Sequence, residues 1–212
     1  MDGSLKIWQL DPANLTPYYN LAICEALAEA GQQVHYVTSE YLYDPNLPVS
    51  DQFTIEYAYF RGLNHQWLLR SSLLRKLLRG LSYPLDHRRV LAAIKRQCPD
   101  IVHIQWSRLP SFDRTFVQSI QAENIPVVHT IHNVRSSFAS DQMVSRLGDV
   151  YALVDTLVLH TKANQRDFLT LYPHIPESKT TVIPLINPPY PYQHSEMSRA
   201  DVRKEFGFSE NE

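Results

Sequence analysis

Short apolar runs alternate along this chain with longer stretches in which apolar residues recur every three or four positions. The short runs are rich in valine and isoleucine and are bounded by proline, glycine or polar residues, so they read as strands buried within a sheet. The longer stretches read as helices with one apolar face. Strands are expected at Leu5–Leu10, Val34–Thr38, Thr54–Tyr59, Ile101–Ile104, Val127–Ile131, Thr156–Leu159 and Thr181–Ile183. Helices are expected between them, at Tyr18–Ala30, His65–Leu81, Leu85–Arg96, Phe112–Ala122, Gln142–Leu153 and Ala163–Leu171. Gly31 closes the first of these. Such alternation implies an α/β fold, a Rossmann-like doubly wound parallel sheet covered on both faces.

The pattern changes near the end. Pro184 to Tyr192 carries Pro184, Pro188, Pro189 and Pro191, which forbid regular structure and suit a linker. Ser198 to Phe206 then reads as a helix, with Ser198 at the N-cap, Asp201 three residues on, and Gly207 as the stop. The expected division is a domain over residues 1–186, followed by a Pro-rich linker and first helix over 187–212 that lead toward a further domain. On this reading the chain is the front part of a longer design.

Composition narrows the function. A net charge of −2 offers no bulk attraction to nucleic acid. Cys24 and Cys98 form no CxxC pair; Cys24 sits in an apolar helical stretch as a small core residue, a usage that suits a reducing cytoplasm. No apolar run reaches the roughly 18 residues that a membrane span needs, and MDGSLK lacks a signal-peptide core, so an intracellular protein is expected. One region departs from this balance: Arg61 to Arg96 holds nine basic residues and a single acid, Asp86. On a helical wheel Trp67, Leu73, Leu74, Leu77, Leu78 and Leu81 share one arc, with Arg75, Lys76 and Arg79 opposite and Arg70 on the apolar side. Two readings stay open. The helix meets an anionic membrane or a phosphate-bearing acceptor through Arg70, Arg75, Lys76 and Arg79, or it packs on the sheet and solvates its basic face.

Candidate chemistry gathers at the strand ends, where open α/β sheets bind ligands. PVVHTIHN (Pro126–Asn133) ends on His132 and Asn133, and PDIVHIQW (Pro99–Trp106) ends on Gln105 and Trp106. The first strand-to-helix turn, DPANLTPYYN (Asp11–Asn20), has no glycine, which disfavours a dinucleotide cofactor. Asp11 and Asn14 there read equally as contacts for a polyol ligand or as structural groups, and Thr16 reads as the cap of the helix that Pro17 begins. His103 and His129 lie within strands and read as core residues. The spacing of His129 and His132 sends their rings to opposite faces of a strand, which makes them poor co-ligands. With no HExxH and no histidine–cysteine cluster, no metal is expected; without GxSxG or a Walker loop, hydrolase and NTPase chemistry are disfavoured.

The order of these pieces resembles the amino-terminal half of a GT-B glycosyltransferase of family 4. The resemblance is carried by LAICEALAEAGQQVHYVTS (Leu21–Ser39), PDIVHIQW, PVVHTIHN, VDTLVLHTKANQRDFL (Val154–Leu169) and TTVIPLINPP (Thr181–Pro189), and SRADVRKEFGF resembles the helix leading into that family's second domain. It implies an acceptor-binding domain, with a separate domain for a nucleotide-sugar donor and transfer in the cleft between them, usually with retention. It further implies that His132 lies beside the transferred sugar, and that Asp11, Asn14, Thr16, Gln105, Trp106 and Asn133 contact the acceptor. Thr161 and Lys162 are expected along the same edge. The donor is a substrate, so no cofactor is implied; the partners are a glycan or lipid-linked acceptor and the sugar nucleotide, in the cytoplasm or at the inner membrane face.

Two departures from the family stand out: Pro12, Ala13 and Asn14 replace the glycines of the first loop, and no two glutamates here lie eight positions apart as in the family's donor site. The chain alone is therefore expected to be inactive, because nothing in it neutralises the diphosphate leaving group. The alternatives are a non-catalytic glycan- or partner-binding module, the acceptor half of a two-chain transferase, and a nucleotide-sugar epimerase.

Overall fold

A computed structural model describes residues 3–41, 50–63, 72–135 and 140–185, together with Ser198, Ala200, Asp201 and Arg203. Its strands are β1 (Lys6–Asp11), β2 (Gln33–Thr38), β3 (Thr54–Tyr57), β4 (Ile101–Ile104), β5 (Val127–Thr130), β6 (Thr156–Leu159) and β7 (Thr180–Val182). The helices between them are α1 (Pro17–Glu29), α2 (Ser72–Gln97), α3 (Pro110–Gln121), α4 (Asp141–Leu153) and α5 (Lys162–Leu171). All strands pair in parallel, in the order β3–β2–β1–β4–β5–β6–β7. Chain order reverses between β1 and β4, which opens a crevice beyond their carboxyl ends. Every strand expected from periodicity is present, within two residues at each boundary.

Burial explains the apolar runs. Trp8, Leu10, Val37, Val102, Ile104, Val127, Leu157 and Leu159 are buried in the central strands, whose two faces both pack against helices. Edge strands β3 and β7 are only partly buried. Gly31 closes α1 as expected: it adopts φ +81 and its N–H bonds Ala28 O while Gln32 N–H bonds Leu27 O. Ser140 and Thr161 cap α4 and α5 through their hydroxyls.

The helices expected at His65–Leu81 and Leu85–Arg96 are, over the described residues, one continuous helix, α2, that runs through Pro84. An interior proline costs about 3 kcal/mol. Four buried side chains on one face offset it: Tyr83, His87, Val90 and Ile94. Tyr83 also donates to Asp113 Oδ1 at 2.7 Å, and His87 Nε2 lies 3.2 Å from the same oxygen, which ties α2 to α3. The part of that helix before Ser72, with Trp67 and Arg70, lies outside the described residues, as does the proline linker beyond Leu185. Of the terminal helix, Ser198 and Asp201 do exchange the bonds of a capping box: Ser198 N–H donates to Asp201 Oδ2 and Asp201 N–H to Ser198 Oγ, each at 3.2 Å.

Candidate functional site

The crevice at the strand ends is assembled from β4, β5, β6 and α1. His132 stands two residues past β5, where the chain still hugs the sheet because Ile131 N–H bonds Val158 O at 2.8 Å. Its imidazole lies against Trp106 in a near-parallel stack, with centroids 4.7 Å apart and planes 15° apart. Tyr19 of α1 meets it edge-on at 5.0 Å, and His160, at the end of β6, sits at 5.3 Å. Gln105 Oε1 accepts from His132 Nε2–H at 2.9 Å, which leaves Nδ1 as the acceptor. The ring is thus fixed from several sides. Burial, reinforced by His160 and His129, lowers its pKa to about 4, so at neutral pH it is an uncharged imidazole able to accept a proton or a hydroxyl hydrogen bond.

The other strand histidines behave as core groups, as expected. His129 is buried; its Nδ1–H donates to the Thr130 carbonyl at 2.9 Å, so Nε2 accepts from Ser107 at 3.1 Å. His103 bonds Thr130 Oγ1 at 2.8 Å and the Gln105 amide at 3.2 Å. Burial, first of all, lowers both, to about 3 for His129 and about 4 for His103. The strict alternation argument for His129 and His132 does not carry through, because β5 ends at Thr130 and the chain turns. Both residues line one cavity of about 310 Å³, which Met143, Leu147, Tyr151 and Tyr172 close on the far side. Gln105, Trp106 and Asn133 line it too. His132 and Asn133 also border a second, open cleft toward α5, with Asn164 and Asp167.

The first loop is placed differently. Asp11 is fully buried and accepts from Ala13 N–H, Leu15 N–H and the Asn20 amide at 3.2, 3.0 and 2.8 Å. Burial raises its carboxyl pKa to about 6 against the lowering effect of these bonds. Asn14 donates to Ser39 O at 2.8 Å and accepts from the Tyr36 hydroxyl at 3.0 Å. It also takes φ +50, the left-handed conformation that a loop glycine would supply. Thr16 does stand at the N-cap of α1, but its hydroxyl makes no cap bond; it accepts from Trp106 Nε1–H at 3.4 Å instead. Of the polar residues expected to meet an acceptor, Gln105, Trp106 and Asn133 therefore gather with His132, whereas Asp11 and Asn14 are engaged within the fold. Thr161 and Lys162 are engaged as well: Thr161 caps α5 and Lys162 Nζ bonds Gln165.

His160 was not singled out by the sequence. Its Nδ1–H donates to Ile183 O at 3.0 Å, so the buried Nε2 carries a lone pair, and no group among the described residues satisfies it. The signal was present: β6 ends on a histidine in the same manner as the PVVHTIH stretch. Among the described residues no group of three or more histidine, cysteine or acidic side chains is arranged to hold a metal.

Residues 18–185 match the model of Glycosyltransferase Family 4. No curated protein matches the chain. Among solved structures, Anabaena Alr3699/HepE in complex with UDP and glucose superposes with a TM-score of 0.58 at 11% identity, covering 96% of this chain and 50% of that one. A glycosyltransferase from Rickettsia africae ESF-5 gives 0.54 at 14%, covering 86% and 43%. A putative UDP-N-acetylglucosamine 2-epimerase from Listeria monocytogenes gives 0.55 at 10%, covering 85% and 45%. The chain thus spans about half the length of the solved structures it matches, and at these identities the likeness is one of fold.

Proposed function

The chain belongs to Glycosyltransferase Family 4, and from that premise we propose that it forms the acceptor-binding half of an enzyme that transfers a sugar from a nucleotide-sugar donor to a glycan or lipid-linked acceptor. The observation that carries this reading is the neutral, immobilised His132 at the mouth of the crevice, held by Trp106, Tyr19 and Gln105. A neutral imidazole with an available Nδ1 lone pair can accept a hydrogen bond from a sugar hydroxyl and hold it in line for reaction. Gln105 positions His132, and Asn133 adds an exposed amide at the rim. The donor would sit on a second domain facing this crevice, and its leaving diphosphate would be stabilised there.

On this reading transfer proceeds with retention, requires no metal or organic cofactor from this half, and is negligible with these 212 residues alone. It belongs to the cytoplasmic assembly of a polysaccharide or a lipid-linked glycan. The shared fold of the epimerase is accommodated without changing the reading, since the family match is to transferases. The test is a UDP-release assay on the protein encoded by the complete reading frame, with UDP-glucose and related UDP-sugars as probes and a membrane lipid extract as acceptor source. Acceptor-dependent UDP release that His132→Ala abolishes supports the proposal. Wild-type turnover in His132→Ala, or binding of UDP-sugars with no acceptor-dependent release, overturns it.

A further inference from the structure

The amino-terminal half of helix α2 presents a row of leucines to solvent rather than to the sheet. Leu73, Leu77 and Leu81 are 79%, 58% and 65% exposed, and Leu85 continues the stripe. The face that does pack inward is the one bearing Tyr83, His87, Val90 and Ile94, while Arg79, expected on the solvated side, lies over the Phe60 ring at 4.7 Å. The stripe leads into a groove of about 260 Å³ between α2 and α3, walled by Pro84, Arg88, Leu91 and Thr115. Phe112, itself half exposed, stands at its edge.

Charge says what this face meets. Between residues 72 and 122 there are nine cations and three acids, in a chain whose net charge is −2. Two of those acids, Asp86 and Asp113, are buried, and the third, Asp100, lies at the amino end of β4. Arg75, Lys76 and Arg88 on α2, with Arg108 and Arg114 nearby, have no acidic partner among the described residues. A second copy of the chain would oppose cations with cations, and nucleic acid would have no use for a stripe of four leucines. Apolar side chains flanked by unpaired cations match a bilayer surface with anionic headgroups. Position agrees: α2 follows β3, so its leucine-bearing amino-terminal half lies at the carboxyl end of the sheet, as do Arg108 and the crevice of His132.

We propose that the exposed leucine stripe of α2, with Phe112 and the cations around it, is the surface by which the protein docks on an anionic lipid bilayer. It deepens the transferase reading by bringing a lipid-borne acceptor to the His132 crevice, yet vesicle binding is measured without turnover, so either can fail alone. The experiment is flotation of the 212-residue chain with phosphatidylcholine vesicles, with and without phosphatidylglycerol. The chain binds the anionic vesicles about tenfold or more tightly than the neutral ones, and Arg75→Glu/Lys76→Glu/Arg88→Glu removes that preference. Leu73→Ser/Leu77→Ser/Leu81→Ser weakens binding about tenfold or more while its thermal midpoint and circular dichroism stay as in the wild type, since these side chains lie outside the core. No binding to either vesicle, equal binding to both, or unchanged binding of the leucine variant overturns the proposal. So does a concentration-dependent dimer that the leucine variant dissociates, which would assign the face to a second copy.

Discussion

Two loops border the same crevice and are equally polar, yet they do opposite things. The loop after β1 directs Asp11 and Asn14 inward, onto Ala13, Leu15, Asn20, Ser39 and Tyr36. The segment after β5 presents His132 and Asn133 to the cavity, and among the described residues Gln105 Oε1 alone is hydrogen-bonded to the imidazole. The difference lies in the covering element. Helix α1 begins directly over the first loop, so its polar groups must find partners inside the protein or be left buried and unpaired. No helix begins over His132 and Asn133, which line the open cavity instead. Polarity at a strand end therefore marks a crevice without saying which residues serve it.

Breaking the inward loop has the largest expected effect. Asp11→Ala strands two backbone N–H groups and an amide in a buried site, and is expected to cost about 3–4 kcal/mol of stability, read as a lowered midpoint in urea unfolding. The outward segment should respond in the other currency. His132→Ala is expected to leave the unfolding free energy from urea titration within about 1 kcal/mol of wild type while lowering acceptor-dependent turnover of the complete enzyme about a hundredfold. Should both substitutions unfold the protein alike, the contrast between the loops is lost.

Acidification separates the loops by sign. Asp11 titrates near 6 in the folded chain, above its unfolded value, so the folded state takes up a proton and its contribution to stability grows as pH falls toward 4. His103, His129 and His132 titrate near 4, 3 and 4, below their unfolded value, so the unfolded chain takes up protons first and stability is lost as pH falls below 6.5. Near pH 5 the histidines outweigh the aspartate by about two protons, which predicts a loss of roughly 2.7 kcal/mol per pH unit from these four groups. Removing one histidine, as in His129→Gln, should reduce the slope of unfolding free energy against pH by about 1.4 kcal/mol per unit. An unchanged slope would mean that His129 is not held neutral by its surroundings.

The smallest effect concerns loop shape. Asn14→Ala loses both hydrogen bonds and keeps the cost of a left-handed φ, whereas Asn14→Gly loses only the bonds. Glycine is expected to be the milder substitution by about 1 kcal/mol in thermal unfolding. Equal losses would show that the φ of Asn14 carries no strain in this loop.

How far the sequence reached follows from the same physics. The strands were legible because β-branched residues in short bounded runs are a local signal, and Ile101–Ile104 and Thr156–Leu159 fall where periodicity places them. Pro84 misled, since a proline is a local stop sign while the four buried residues that carry α2 past it are a tertiary gain. In the site, His132, Gln105 and Trp106 were legible as strand-end residues. His160 closes a strand in the same way and was passed over, because its place beside His132 and the bond that turns its ring come from distant parts of the chain. The leucines of α2 form an apolar arc in the sequence, but which arc of a helix meets the sheet depends on the competing face of Tyr83, Val90 and Ile94.

Order and type of the elements, the doubly wound sheet and the end of it that carries the cavity are all written in residue-by-residue periodicity, because burial of a strand or a helix face is set by the residue's own side chain and its near neighbours. The roles of individual polar groups are not. Asn14 finds its partners on β2 and in the loop beyond it, Gln105 meets His132 from the neighbouring strand, and His160 is turned by a carbonyl past β7. A hydrogen bond needs a second group at the right distance and angle, and only the folded chain brings these distant groups together.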